Sequence, residues 1–252
     1  MSRLPQRIAT GVYQIALGGV NAFLIDVEDD GVGTAARAAG GGTALGGLVL
    51  VDTGVARSAA RIGAAIRDLG RAPGDVRAIV VTHLHRDHTG ALAEVKRRTG
   101  AEVWMHPADA ALVREGVFAR PLEPGPGLVR SAIARLRERR PAPSGEPIVV
   151  EHEVNDGETL PFAGLRAVHT PGHTAGHLAL LLPRGGGVLF VGDAATNFLR
   201  LGWGPIYEDV SQGRESLAKL AALDFEVAAF AHGRAIRAHA GERFRARWPS
   251  AH

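Results

Sequence analysis

The chain of 252 residues contains no cysteine. That excludes disulfides and thiolate metal sites, so any metal ion must be held by histidine and carboxylate side chains. Lysine is nearly missing: Lys96 and Lys219 stand alone, and the other basic residues are arginines. The formal net charge is only +3, and no Arg/Lys-rich run interleaved with aromatics occurs. Nucleic-acid binding is therefore not expected. No window approaches eighteen consecutive apolar residues, which predicts no membrane span. The first twenty residues lack the charged start, apolar core and small-residue cleavage site of a signal peptide, so a cytoplasmic location is the expectation. An apolar content of 46% and a charged content of 22% suit an ordinary globular chain with a substantial core.

Histidine is concentrated instead. His83-Leu84-His85-Arg86-Asp87-His88 places four metal-type side chains within six residues. Residues 76–82 before it form an apolar run that reads as a buried strand. His83 and His85 are two apart, so on extended backbone both point the same way and can grip one ion together. Asp87 and His88 are adjacent, so the chain must turn there for both to reach inward. Two ligand sets at one strand tip suggest two ions side by side.

Strands are predicted at 11–16, 22–27, 47–51, 101–106, 148–154, 165–169, 178–182, 188–191 and 225–231. Helices are predicted at 58–69, with Ser58 as cap, and at 90–98, 108–114, 211–223 and 234–247. The Gly/Ala-rich stretch 29–46 reads as a flexible hairpin extension between pairing strands. Six prolines punctuate 116–147, which reads as an insertion or cap containing an amphipathic helix over 128–139. The expectation is one α/β domain over 1–252, an αββα sandwich of two mixed sheets with helices on the outer faces. Periodicity alone does not separate this from an open α/β sheet.

Three further polar residues follow buried strands: His173, Asp193 and His232. A strand that delivers an ionisable side chain at its tip fixes that group rigidly. Four such deliveries in one chain resemble the metallo-β-lactamase superfamily. The resemblance rests on Thr82 to Gly90, the segment around His173, Gly192-Asp193, His232-Gly233 and Val51-Asp52-Thr53-Gly54, and it covers nearly the whole chain. It implies that His83, His85 and His173 hold a first metal ion. It further implies that Asp87, His88 and His232 hold a second and that Asp193 bridges both. Two zinc ions suit this nitrogen and oxygen set best, with iron or manganese open. Such a centre yields hydroxide near neutral pH and stabilises an oxyanion, and Asp87 is also a candidate to orient the nucleophile. Asp52 is expected to support the metal loop without being a ligand. His177 reads either as support for the site or as a structural hydrogen-bonding residue. His106 and His169 read as structural, and His152, His239 and His252 as surface residues.

The family hosts many chemistries, so the fold does not decide the substrate. Its β-lactamases typically lack the bridging aspartate, so Asp193 argues against β-lactam hydrolysis as more than a minor activity. Glyoxalase-II-type thioesterases carry the full ligand set. Their classical members add a helical glutathione-binding domain after the last histidine, which the stretch 233–252 does not provide. Lactonases of the family carry a tyrosine shortly after the bridging aspartate. Here Tyr207 is the candidate for that hydroxyl, an ordinary loop tyrosine being the alternative. The expected activity is metal-dependent hydrolysis of a small ester, thioester or lactone. Phe198, Leu199, Leu201, Trp203, Ile206 and Tyr207 are expected to help form an apolar pocket, unless they only pack the core. A mononuclear iron persulfide dioxygenase and a non-catalytic binding protein are the competing readings. The expected partner is a small-molecule substrate, with no membrane or nucleic acid, and a homodimer is compatible with the sequence.

Overall fold

The computed structural model describes residues 4–28, 47–126 and 145–249. Strands β1 (Gln6–Ala9), β2 (Val12–Ala16), β3 (Asn21–Asp26), β4 (Leu48–Val51), β5 (Val76–Val80) and β6 (Glu102–Met105) open the chain. Then come β7 (Glu123–Pro124), β8 (His152–Glu153), β9 (Arg166–His169), β10 (Leu178–Leu182) and β11 (Val188–Gly192). Last are β12 (Ala195–Asn197), β13 (Leu201–Trp203), β14 (Ile206–Tyr207) and β15 (Val227–Phe230). A larger sheet runs β1-β2-β3-β4-β5-β6-β8, and a smaller one runs β15-β11-β10-β9.

Side-chain alternation along the strands dictates the layers. Leu24, Leu48 and Leu50 of the larger sheet face Ile62 and Ile66 of α1 (Ala59–Asp68) and Leu92 and Val95 of α3 (Leu92–Thr99). Phe23, Val49, Val51 and Val80 point the other way, against Leu178, Leu180, Val188 and Phe190 of the smaller sheet. Phe23 and Phe190 meet edge to face across this interface at 5.4 Å. The smaller sheet turns Leu189, Val191 and Phe230 outward onto Leu217 and Leu220 of α5 (Val210–Ala221) and Phe244 of α6 (Ala240–Arg247). Both sheets are thus apolar on two faces, which requires helices outside and a second sheet inside. Each fully buried Leu, Ile or Phe contributes roughly 1.5–3 kcal/mol. The αββα sandwich predicted from the sequence is the architecture observed.

β4, β5 and β6 run parallel, and β11 runs parallel to β15. Parallel strands present their C-terminal ends together, and open α/β sheets use that edge for ligands. His83, His85, Asp87 and His88 follow β5, Asp193 follows β11 and His232 follows β15, whereas His173 follows β9, which pairs antiparallel with β10.

Several local expectations are corrected. Ser58 precedes α1 but makes no cap bond: its backbone is helical (φ −78°, ψ −19°), so Oγ is not aimed at the next turn's N–H groups. Only His152–Glu153 pairs within the predicted strand 148–154, because Ile148 and Val150 turn into the core beside α4 (Pro107–Arg114). The helix predicted over 234–247 begins at Ala240. The strands β1, β7, β12, β13 and β14 were not expected. β3 and β4 pair antiparallel, as the hairpin reading of 29–46 required. The loop itself and the helix predicted over 128–139 lie outside the described residues. No helix among the described residues is long and apolar enough to cross a membrane.

Candidate metal centre

The extended backbone after β5 carries His83 and His85 on one side. Thr89 Oγ1 then donates to the carbonyls of Leu84 and His85, both at 3.1 Å, closing a single helical turn, α2 (Arg86–Thr89). This is the turn that the adjacent Asp87 and His88 demand. It brings His88 to within 4.0 Å of His83, ring centre to ring centre.

His83 Nε2 and His173 Nε2 lie 3.2 Å apart, and His85 Nδ1 and His173 Nε2 lie 3.0 Å apart. Two nitrogens on one tetrahedral zinc, each ~2.05 Å from it, would be ~3.3 Å apart. Asp87, His88 and His232 gather as a second group, and His83, His88 and Asp193 as a third, with all donor atoms inside each group within 4.8 Å. Asp193 joins the sets: Oδ2 is 3.4 Å from both His173 Nε2 and His232 Nε2, while Oδ1 is 3.6 Å from His88 Nε2. The structure therefore brings all seven sequence-predicted ligands together.

Three observations fit cations at this place. The buried atoms His88 Nε2 and Asp193 Oδ1 have no hydrogen-bond partner among the described residues. The far nitrogens of three imidazoles are held by acceptors: His88 Nδ1 by Asp52 Oδ2 at 2.8 Å, His173 Nδ1 by the Ile206 carbonyl at 2.9 Å, and His232 Nδ1 by the Gly19 carbonyl at 2.7 Å. Each ring thus turns its other nitrogen inward, the usual arrangement around a bound metal. Finally, the protonation pattern suits metal binding. Burial pushes His83, His85 and His173 down, His85 to about 3, so they are neutral donors. Burial opposes charge on Asp193 and Asp87 as well, but the neighbouring His232 and His88 hold both carboxyls well below the usual range. Burial also works against His232 and His88. The carboxylates of Asp193 and Asp87 nevertheless lift His232 to about 10, and those of Asp52 and Asp193 raise His88 well above its ordinary value. Without metal, protons supply the positive charge between the carboxylates.

Two expected supports have clear geometry. Asp52 accepts from Thr82 N at 2.8 Å and from Thr82 Oγ1 while orienting His88. Its φ of 60° is the left-handed region, a strain tolerated where a carboxylate must be aimed. His177 Nε2 accepts the backbone N–H of Asp193 at 3.0 Å, and its Nδ1 lies 2.8 Å from Thr170 Oγ1. Gly192 between them has φ 55°, and a Cβ there would come within 2.5 Å of His177 Nε2, so the close approach requires glycine.

A further support escaped sequence reading. Asp109, fully buried on α4, accepts from Leu84 N at 3.1 Å, Thr174 Oγ1 at 2.7 Å, Gly176 N at 2.9 Å and Arg120 Nη1 at 2.8 Å. Arg120 also reaches Glu208, which accepts from Ala175 N at 2.7 Å. One carboxylate thereby ties the His83–His88 loop to the His173 loop. In the sequence it looks like an ordinary acid in a first helical turn.

The proposed substrate contacts separate. Tyr207 is fully buried; its hydroxyl donates to the Ala194 carbonyl at 2.9 Å and accepts from Gly204 N at 2.8 Å. That corrects its expected catalytic and substrate-binding role: both backbone partners pin the ring beneath the site, edge-on to His173 at 5.9 Å. Trp203 is likewise a core residue, packed on Tyr207 at 5.5 Å, and Ile206 is buried beside it. Phe198 is 59% exposed and Leu199 fully so, and the Phe198 ring lies 6.1 Å from that of His232. These two remain available to a substrate. His106 accepts from Ala108 N at the start of α4 and stacks on His169 at 4.0 Å. His152 stacks on Trp104 at 3.9 Å, and His239 is exposed. His252 lies outside the described residues.

A family model described as the metallo-beta-lactamase superfamily matches residues 44–232. A hydroxyacylglutathione hydrolase of Pseudomonas aeruginosa (strain LESB58) is 33% identical over 148 residues, which is 58% of this chain and 42% of that protein. The match thus spans less than half the length of that relative. A probable metallo-hydrolase, YflN, of Bacillus subtilis (strain 168) is 29% identical over 206 residues, 74% of this chain and 75% of that protein. Among solved structures, the MIM-2 metallo-beta-lactamase superposes with a TM-score of 0.65 at 26% identity, covering 91% of this chain and 76% of that one.

Proposed function

The chain belongs to the metallo-beta-lactamase superfamily, and we propose that it is a dinuclear metal-dependent hydrolase of a small ester, thioester or lactone. The observation that carries this reading is Asp193, whose two oxygens lie against ligands of both histidine sets. His83, His85 and His173 would hold one ion, Asp87, His88 and His232 the other, and Asp193 both. Zinc ions so held lower the pKa of bound water and polarise the group under attack.

The chain's own residues do the rest. Asp87, 28% exposed at its side chain and 3.3 Å from His232 Nε2, is the carboxylate of the cluster nearest to solvent. It orients the incoming water; despite burial, its own carboxyl is held too acidic by His232 and His88 to keep the proton, which passes on to the departing group. The water oxygen bonds to the acyl carbon, the C–S or C–O bond breaks, and the departing thiol or alcohol takes a proton. With Tyr207 engaged by backbone, no tyrosine is assigned to that last transfer. Phe198 stands beside His232 as an apolar wall for the substrate.

The likeness to a hydroxyacylglutathione hydrolase favours a thioester within this class. A mononuclear iron dioxygenase would leave the Asp87, His88 and His232 group without a role, although its donor atoms also lie within 4.8 Å of one another. The test is hydrolysis by the metal-loaded protein across thioesters, lactones, simple esters and a phosphodiester. Cleavage of the acyl substrates supports the reading, and inactivity across the panel refutes it.

A further inference from the structure

The tip of the β12–β13 hairpin and helix α6 line an open cavity of about 600 Å³ that has Phe198 on its wall. Four arginines line it, Arg200, Arg234, Arg243 and Arg247, together with Phe198 and Leu199. No carboxylate lines it. Several other arginines are paired with acids: Arg71 with Asp26 and Glu28, Arg114 with Glu153, Arg120 with Asp109, and Arg245 with Asp224. None of the four cavity arginines has a carboxylate partner among the described residues. Like charges gathered without counter-charge repel one another, and a cavity wall focuses their field outward. Planar guanidinium groups are suited to phosphate, which each can grip through two parallel hydrogen bonds.

The cavity shares its frame with the metal centre. Asn197 N donates to the His232 carbonyl at 3.1 Å, Arg234 N donates to the Asn197 carbonyl at 2.8 Å, and Asn197 Nδ2 donates back to the Arg234 carbonyl at 2.8 Å. Arg234 thus sits two residues from a ligand, on backbone that the ligand also uses. Phe198 lines the cavity and its ring also lies 6.1 Å from that of His232, so it borders both places.

We propose that this cavity binds the leaving group of the substrate and that this leaving group is a phosphorylated polyanion. The proposal rests on the hydrolase reading for the reaction, but the binding it asserts is measurable without turnover. Desulfo-coenzyme A carries several phosphate charges and no thiol to reach the metals. Calorimetry on the metal-loaded protein should show saturable binding that weakens with added salt. It should weaken by about tenfold or more in the Arg200→Ala/Arg243→Ala variant, since hydrogen bonds to charged groups are lost. Both side chains are exposed, so folding is not at stake, and the Lys double variant should recover part of the affinity.

Three thioesters of one short acyl group complete the test, with coenzyme A, glutathione and N-acetylcysteamine as leaving groups. The coenzyme A thioester should have the highest kcat/KM, and its advantage over the neutral N-acetylcysteamine thioester should collapse in the alanine variant. Arginine-dependent binding without cleavage of any thioester upholds the cavity and refutes thioester hydrolysis. Equal cleavage of all three, or no saturable binding of desulfo-coenzyme A, overturns the cavity proposal and leaves the hydrolase standing. Preference for the glutathione thioester overturns the phosphate assignment.

Discussion

Asp109 Oδ2 accepts a hydrogen bond from the backbone N–H of Leu84 at 3.1 Å, between the two histidines of the metal loop. The same carboxylate holds Thr174 and Gly176 just beyond His173. The separation of His85 from His173 is therefore set by a residue that touches no ligand side chain.

Replacing Asp109 with alanine removes an acceptor from four protein donors, of which Leu84 N, Thr174 Oγ1 and Gly176 N are buried. An unsatisfied buried donor costs about 1–3 kcal/mol, so the variant should lose about 3 kcal/mol or more. In a chain of this size that corresponds to roughly 6–12 °C in Tm. Thermal unfolding checks the loss, and metal analysis of the folded fraction should show weaker retention at the three-histidine group. An unchanged Tm would contradict the linking role of Asp109.

Asp52 orients His88 through a 2.8 Å contact with Nδ1. Loss of such an orienting carboxylate typically lowers metal affinity by roughly 10–100-fold. Asp52→Ala should therefore weaken one of two binding events and leave the other nearly intact, as resolved by competition with a chromophoric chelator. Equal weakening of both, or of neither, would show that Asp52 does not act through His88.

Tyr207→Phe separates a structural hydroxyl from a catalytic one. The buried Gly204 N–H loses its acceptor, at a cost of about 1–3 kcal/mol, and Tm should fall. Turnover of the folded enzyme should change little, whereas loss of a proton donor would reduce kcat by roughly 10² or more. A large kcat loss at unchanged Tm would restore the tyrosine to the chemistry.

The fold and the ligand set were largely legible because each carries a periodic or clustered signal. Val49 and Val51 alternate with Leu48 and Leu50, and alternation fixes two buried faces. His83, His85, Asp87 and His88 crowd one strand end, and His173, Asp193 and His232 each follow an apolar run. Asp109 was not legible: its meaning depends on where α4 packs relative to two distant loops, which no local pattern encodes. Tyr207 misled for the same reason. Its distance from Asp193 in sequence fits a loop reaching the site, but the 204–207 turn folds its hydroxyl back onto Ala194 and Gly204. The grouping of Arg200 and Arg234 with Arg243 and Arg247 of α6 around one cavity has no local sequence signal either, because it depends on where the β12–β13 hairpin lies against that helix.

The most direct test of the account is the number of metal ions bound per chain after zinc titration of metal-free protein and removal of excess. Seven convergent ligands with Asp193 between the sets predict about two ions per chain, falling to about one in Asp193→Ala. A single ion per chain in the unaltered protein, with no change on substituting Asp193, would contradict the dinuclear centre.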